Sequence, residues 1–480
     1  MSVMKVLYAS AEAAPFISTG GLGEVAGSLP KALAEKYENK IDIRVILPLY
    51  QGINDRSGFE FIGKTSVPLA WRQQYCGVFK KKIESVTYYF IDNEYYFKRS
   101  DCYGYFDDGE RFAFFSKAIL YILPMIDFMP DIIHANDWQT SLVPVYLKTK
   151  YLSYPGYSSI KTIITIHNIE YQGVYDLHIA EDVFDLHGKE KSIIEYNGSI
   201  NLLKGAMETS DIISTVSESY SKEIFDDYYA HGLAAIISKN ALKIKGILNG
   251  IDTDFYNPEN DKALFENYSK DNIKNKYLNK LNLQSMAGLP QNKNIPVIGI
   301  ISRLVKHKGF DLIMNGIEEV LKEKVQFIIL GKGDRGYELY FKSLQERYHE
   351  KVAARIDFNS DLARKIYAGS DFLLMPSISE PCGIAQMIAS RYGTVPIVRE
   401  TGGLKDSIHD LSLGFGNGFT FCEQNFEVLT NTIKRALKTY SDKEDWEKLV
   451  ETVMSVDFSW NKSAEKYYDM FQTLLNQGEK

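Results

Sequence analysis

Cysteine is scarce. The 480 residues hold only Cys76, Cys102, Cys382 and Cys422, far apart and without a C-x-x-C pair, so neither a disulfide framework nor a zinc site organises the chain. Positive charge is not in excess. Lys and Arg number 55 against 62 Asp and Glu, a net charge of −7, whereas a protein that coats duplex nucleic acid is basic. Long apolar runs are missing as well. The longest, near 118–126, falls well short of the roughly 18 residues of a membrane helix. The apolar start runs into Glu12 before it reaches the length of a signal-peptide core. With 14 prolines, no fixed repeat and no low-complexity tract, little room remains for disorder or collagen-like structure. Nucleic acid and membrane are therefore not expected as partners, and a reducing cytoplasm is the default location.

What is present is length and aromatic surface. A chain of 480 residues is about three times a typical single-core length, which calls for two or three domains. Aromatic residues make up 13%, with 32 Tyr, 26 Phe and 4 Trp. Tyr joins an apolar ring to a polar tip, so this excess serves either a core or a wet surface that grips rings such as sugars or bases. Short β-branched runs at 6–9, 41–47, 131–135, 162–166 and 212–216 alternate with helical patterns. The alternation restarts at 297–301, 325–330, 353–358, 372–375 and 395–398. Each set predicts a parallel α/β domain. Asn249-Gly250-Ile251-Asp252, a Pro-containing turn and the lysine-rich stretch 270–280 separate them. The expected division is 1–250, a linker at 251–295, a second domain at 296–455, and a C-terminal segment 456–480 with helical spacing and a polar tail.

Ligands of open parallel sheets bind beyond the carboxyl ends of the strands, which draws attention to the residues just after each run. Thr19-Gly20-Gly21-Leu22-Gly23-Glu24 opens a helix where main-chain N–H groups can approach a phosphate or sugar oxygen, or it is simply a tight turn. Ser302-Arg303-Leu304-Val305-Lys306-His307-Lys308-Gly309 places cations at a strand mouth, either to neutralise a diphosphate or as a solvated basic turn. Gly331-Lys332-Gly333-Asp334-Arg335-Gly336 is a complete G-x-G-x-x-G with Asp357 about twenty residues on, the pattern of a nicotinamide-cofactor dehydrogenase. Glu380-Pro381-Cys382-Gly383 precedes a helix. Its carboxylate can orient sugar hydroxyls or act as a helix N-terminal charge, while Cys382 reads as a packed thiol. Thr401-Gly402-Gly403-Leu404 repeats the T-G-G-L of the first half. His134, Asp137, Trp138 and His167 stand at strand ends of the first half.

Taken together these ordered motifs, with Tyr103–Ser116, Tyr171-Gln172-Gly173 and Asp457-Phe458-Ser459-Trp460, resemble the bacterial glycogen synthases and plant starch synthases. The dehydrogenase reading has one motif to set against them. The resemblance implies the α/β GT-B fold, two Rossmann-like domains facing each other across a deep cleft, with the C-terminal helix crossing back to the first. It implies transfer of glucose from ADP-glucose to the non-reducing end of an α-1,4-glucan with retention of configuration, and no metal or cofactor. A nucleophile is not evident, which favours front-face attack assisted by the departing phosphate. The catalytic residues carried over are Arg303, Lys308, Glu380, Asp137 and His167. Donor-binding positions are Ser18, Gly20, Gly21, Glu24, Asn249, Phe358, Cys382, Gly383, Thr401, Gly402 and Gly403, with Phe358 as the purine-stacking ring. Acceptor positions are Glu12, Tyr103, Trp138 and Tyr171.

The chain departs from the family pattern at several points. Ser18 stands where the N-terminal loop usually carries lysine, Glu24 where aspartate is usual, Asn136 where histidine is common, and Ile388 where related eukaryotic enzymes carry a second glutamate. Loss of the lysine removes a charge near the donor phosphates and leaves two alternatives: another donor such as UDP-glucose, or a weakly active glucan-binding relative. The residues of a plastid transit peptide, had one been removed, would place the chain in the stroma instead.

Overall fold

The computed structural model describes residues 3–476; the polar tail at 477–480 lies outside them. The chain forms two compact units, Met1–Asn249 with Trp460–Lys480, and Gly250–Ser459. Among the described residues no helix is long and apolar enough to cross a membrane.

In the first unit the strands are β1 (Met4–Ala9), β2 (Ile41–Pro48), β3 (Glu60–Leu69), β4 (Arg72–Ile83), β5 (Val86–Asp92), β6 (Ile132–Asn136) and β7 (Lys161–Ile166). They are followed by β8 (Val174–Asp176), β9 (Glu195–Tyr196), β10 (Ser199–Asn201), β11 (Ile212–Thr215) and β12 (Ile244–Gly246). The large sheet runs β12-β11-β7-β6-β1-β2-β5-β4-β3, and β8-β10-β9 form a small antiparallel sheet. From β12 to β5 every pairing is parallel, and β4 and β3 add an antiparallel flap. The chain fills one side with β2 and β5 and the other with β6, β7, β11 and β12. The order therefore reverses between β1 and β6. Strand β1 is apolar on both faces, with Val6, Leu7, Tyr8 and Ala9 all buried, as a parallel central strand requires. The flap went unseen in the sequence because β3 mixes apolar and polar residues without clean alternation and buries only Val67 and Leu69.

Helix Gly21–Lys36 buries Leu22, Val25, Ala26, Leu29 and Leu33 against this sheet. The C-terminal helix Trp460–Asn476 presents Trp460, Ala464, Tyr467, Phe471 and Leu474 to the same core. Tyr468 stacks on Tyr37 with ring centres 3.8 Å apart, and Lys36 pairs with Glu465 at 3.1 Å. An i, i+4, i+7 apolar stripe of this kind needs a partner surface, and the first unit supplies it.

The second unit carries β13 (Val297–Ile301), β14 (Gln326–Leu330), β15 (Val352–Arg355), β16 (Phe372–Met375), β17 (Val395–Arg399) and β18 (Phe419–Phe421). They run in the order β15-β14-β13-β16-β17-β18 and are parallel throughout. This is the dinucleotide-fold order, with its switch point between β13 and β16. β15 ends three residues earlier than the run 353–358 suggests, because Asn359 turns to cap helix Ser360–Gly369 by accepting from Leu362 N at 2.9 Å.

Residues 251–295, expected to be a linker, are instead built into the second unit. Helix Lys274–Ala287 buries Lys276, Asn279, Lys280, Leu283 and Gln284. Lys276 Nζ donates to the carbonyls of Ala368 (2.9 Å) and Tyr392 (3.0 Å) and to Thr394 Oγ1 (2.8 Å). Lys280 Nζ meets Asp371 Oδ2 at 2.6 Å. Two of the lysines that made this stretch look solvated, Lys276 and Lys280, are turned inward, while Lys270 and Lys274 are exposed.

Candidate active site

In the second unit β13 runs into Ser302–Gly309 and β16 into Pro376–Gly383, so both segments leave the sheet at its switch point. The Ile378 N–H donates to the His307 carbonyl at 2.8 Å and ties them together. Lys308 Nζ lies 2.6 Å from Glu380 Oε2, and Ser377 Oγ donates to the same oxygen at 2.9 Å. Glu380 is buried and Lys308 half-buried, whereas Arg303 is exposed and its guanidinium has no hydrogen bond or ion pair among the described residues. One cation is thus held on a carboxylate and the other is open to an incoming anion.

The buried Arg399 supports this loop from beneath. Its Nε donates to Ser377 O at 2.7 Å, and its terminal nitrogens reach the carbonyls of Ile378 and, at 3.2 Å, Cys422. The turn Thr401–Leu404 closes the other side. Gly402 has φ +45° and a Cβ there would stand 2.0 Å from the Glu380 carbonyl oxygen; at Gly403 it would stand 2.1 Å from that of Cys382. The main chain of Gly403 was expected to reach the ligand, but its N–H is committed inside the protein, to Glu380 O (3.1 Å) and Pro381 O (3.2 Å). Thr401 and Cys382 are buried. Gln386 Nε2 donates to Gly383 O at 2.9 Å. Phe358 lies 83% exposed with an open ring face.

The G-x-G-x-x-G segment has another use. A Cβ at Gly331 would meet Ser302 O at 2.0 Å and one at Gly333 would meet Leu304 O at 2.3 Å. These glycines let the turn pack against the Ser302–Leu304 strand end, and this accounts for the motif without a dinucleotide.

In the first unit the segments after β1 and β6 also leave at the switch point. The buried Glu12 carboxylate accepts from the Thr19 main-chain N–H and, at 3.1 Å, from Thr19 Oγ1, with Tyr103 beside it; burial pushes its carboxyl up. Ser18, Gly20 and Gly21 are exposed and Glu24 half-buried. The Ser18 Oγ donates to Gly20 O at 3.2 Å. No atom lies within 4 Å of a Cβ built on Gly20 or Gly21, so this T-G-G-L turn is open where the second is closed.

Asp137 has a positive φ of +55° with an extended ψ of −176°, and its Oδ1 accepts from the His167 N–H, 2.7 Å away. Burial pushes its carboxyl up to about 7, against the lowering effect of the His167 and Asn168 N–H groups. His167 is half-buried, and burial pushes its imidazole down to about 3. Asn249 Oδ1 is buried without a hydrogen-bond partner among the described residues. Tyr171 is 46% exposed. Trp138 is not an open ring: it packs edge-on against Phe112 at 5.2 Å and covers Gly173. His134 is wholly buried, its Nε2 2.5 Å from Thr165 Oγ1, as a core histidine. Sequence reasoning missed the supporting roles of Ser377 and Arg399. The only available signal was their place at strand ends beside residues already singled out.

Two Rossmann units, the second with a cation pair and a buried glutamate at its switch point, define a glycosyltransferase of the GT-B class. The family model described as starch synthase catalytic domain matches residues 5–239, and that of glycosyl transferases group 1 matches 284–451. The glycogen synthase of Clostridium perfringens is 48% identical, with 98% of this chain and 99% of that protein covered. That of Clostridioides difficile is 46% identical, with 98% and 100% covered. The solved catalytic domain of starch synthase IV from Arabidopsis thaliana, bound to ADP and acarbose, superposes with a TM-score of 0.92 at 33% identity over 99% of this chain and all of that one. A sucrose-phosphate synthase from Thermosynechococcus elongatus, 14% identical with a TM-score of 0.62, shares the fold. The chain belongs to the glycogen synthase and starch synthase family of hexosyltransferases.

Proposed function

We propose that this enzyme transfers glucose from ADP-glucose to the non-reducing 4-hydroxyl of an α-1,4-glucan, with the α configuration retained, in the cytoplasm. The observation that carries the reading is the cation arrangement at the second switch point. Arg303 is unengaged and geometrically suited to a forked contact with a diphosphate, and Lys308 is held ready on Glu380. As the glycosidic bond to the diphosphate breaks, negative charge grows on the leaving oxygen. Preplaced cations stabilise that charge, commonly the largest catalytic contribution. Glu380, buried and oriented by Ser377 Oγ, binds the donor sugar. Asp137 and His167 serve the first unit as sugar-binding residues, Phe358 stacks on the purine, and the open Gly20-Gly21 main chain offers N–H groups to a phosphate. Tyr171 faces the acceptor glucan, and the buried Glu12, with Tyr103 beside it, acts through the Thr19 turn it holds. The departing phosphate oxygen accepts the proton of the attacking 4-hydroxyl on the same face, so no covalent enzyme intermediate is required.

The test is incubation with glycogen and radiolabelled ADP-glucose or UDP-glucose, beside a Ser18→Lys variant. Transfer from ADP-glucose in excess of UDP-glucose is expected. No transfer from either donor refutes the reading. Ser18 is exposed, so the longer side chain is accommodated. A gain of about tenfold in kcat/KM with Ser18→Lys, the worth of roughly one charge-assisted hydrogen bond, marks the missing cation as limiting. An unchanged rate means that Arg303 and Lys308 suffice.

A further inference from the structure

Asn136, the last residue of β6, is fully buried and makes four side-chain hydrogen bonds. Its Oδ1 is 2.9 Å from the Tyr8 hydroxyl and 2.9 Å from His167 Nε2. Its Nδ2 donates to the Ala9 carbonyl at 3.0 Å and to the His134 carbonyl at 3.3 Å. The orientation of the amide follows from these partners. Reversed, it would press Oδ1 against two carbonyl oxygens, which cannot donate. The main chain is fixed too, because Asn136 N–H donates to Thr140 Oγ1 at 2.6 Å. An oxygen that can only accept therefore faces His167 Nε2, so Nε2 carries the proton. Burial disfavours the imidazolium, so His167 Nδ1 is a lone pair; it has no protein partner among the described residues and is not sealed from solvent.

We propose that Asn136 is a positioning residue which locks His167 as the neutral Nε2–H tautomer, so that Nδ1 is an acceptor reserved for a hydroxyl proton of the bound sugar. The Nε2 proton stands on geometry and the neutrality of the ring on its burial; the sugar hydroxyl rests on the function proposed above. A ligand group that can donate, such as a hydroxyl, fits this site, and an acceptor-only group such as an ionised phosphate oxygen is repelled by the Nδ1 lone pair, which separates the sugar end of the substrate from its diphosphate end. Because an amide does not titrate, the lock is insensitive to pH in a way that a histidine at 136 would not be. The ionisable groups around His167 are Tyr8 and Glu12 from the β1 side, His134 and Asp137 from β6, and Tyr220 from the helix Glu218–Glu223, whose hydroxyl accepts from Ile169 N at 3.1 Å. Burial holds Tyr8 and Tyr220 protonated and His134 neutral, so the groups around His167 left to change charge are the carboxyls of Asp137 and Glu12, both pushed up by burial.

The test uses the full chain labelled with 15N-histidine and two-bond 1H–15N correlation spectra between pH 6 and 8, the His167 signal being assigned by its loss in His167→Ala. Eight histidines keep the spectrum sparse. The Nε2–H pattern across the whole range is expected, and an Nδ1–H tautomer or an imidazolium at pH 7 in the unmodified protein overturns the proposal. In Asn136→Leu the His167 signal should shift toward Nδ1–H and the Kd for ADP-glucose should rise about two- to tenfold, the loss of one hydrogen bond, while that for ADP stays unchanged. Equal weakening of both ligands would make Asn136 a general scaffold residue and also overturns it. If the tautomer is as stated but the unmodified protein binds no ADP-glucose, the function proposed above fails and the lock does not.

Discussion

Gly309 lies against the start of the loop that carries the proposed catalytic glutamate, and substituting it tests the site from behind. It sits at φ +76° between the Lys306–Lys308 turn and helix Phe310–Val320, and a Cβ there would lie 2.0 Å from the Pro376 carbonyl oxygen. Carbon and oxygen need somewhat more than 3 Å, so Gly309→Ala must move one segment by about 1 Å. The Pro376–Glu380 loop has nowhere to yield. Arg399 binds the carbonyls of Ser377 and Ile378 from below, and Ile378 N is bonded to His307 O. The left-handed backbone costs alanine about 1–2 kcal/mol, and the overlap adds about 1–3 kcal/mol of packing strain. The two together predict a loss of about 2–5 kcal/mol. A shift of this size separates Lys308 from Glu380, now 2.6 Å apart, and misplacement by 1 Å commonly lowers turnover about 100-fold. The assay is initial rate of glucose transfer to glycogen at saturating ADP-glucose, read beside urea unfolding. Gly336→Ala is the control, since nothing lies within 4 Å of its Cβ position and it falls within helix Arg335–Arg347; it should keep full activity and gain up to about 1 kcal/mol. A Gly309→Ala enzyme with kcat within twofold of the parent would refute the coupling between this turn and Glu380.

The inward lysine of the supposed linker gives a second prediction. Lys276→Met keeps the bulk but leaves the Ala368 carbonyl and Thr394 Oγ1 without this donor and the Tyr392 carbonyl with the Tyr268 hydroxyl in its place, so unfolding of the unit Gly250–Ser459 should become easier by about 1–3 kcal/mol; an unchanged urea midpoint would show these bonds to be dispensable. Asp137 gives a third. Its carboxyl titrates near 7 when folded, above its ordinary 3.8, so the folded state binds more protons than the unfolded chain between those values. Its contribution to stability is therefore fullest below about pH 4 and is lost as pH rises through 7, by at most about 1.4 kcal/mol per pH unit. Asp137→Asn should remove that slope from the stability of the ligand-free protein, and parallel curves for the two proteins between pH 4 and 7 would count against the assignment.

Much of this architecture is legible before any coordinates. Parallel central strands are buried on both faces, so 6–9 and 297–301 announce themselves as unbroken apolar runs, and the residues after them mark strand ends. What was hidden shares one physical origin: polar side chains whose partners lie far away in the chain. The β3–β4 flap is only partly buried and alternates weakly. Lys276 and Lys280 look solvated until Tyr392, Thr394 and Asp371 are brought against them. Arg399 reads as a charge after a strand, and only the fold shows it bonded to carbonyls more than twenty residues earlier.

The two T-G-G-L turns carry this distinction into the site itself. Both follow a strand and both open a helix, so as sequence they are equivalent. In the first, Gly20 and Gly21 have empty space where side chains would be, and the Thr19 N–H is spent on Glu12. In the second, Gly402 and Gly403 lie against the Glu380 and Cys382 carbonyls, and the Gly403 N–H is spent on the glutamate loop. The motif thus specifies a backbone that can come close to something, and the fold decides to what. Alanine at Gly20 or Gly21 should therefore act on ligand binding with stability intact, whereas alanine at Gly402 or Gly403 should act on stability and on turnover together, because the neighbour it strikes is the segment that carries Glu380.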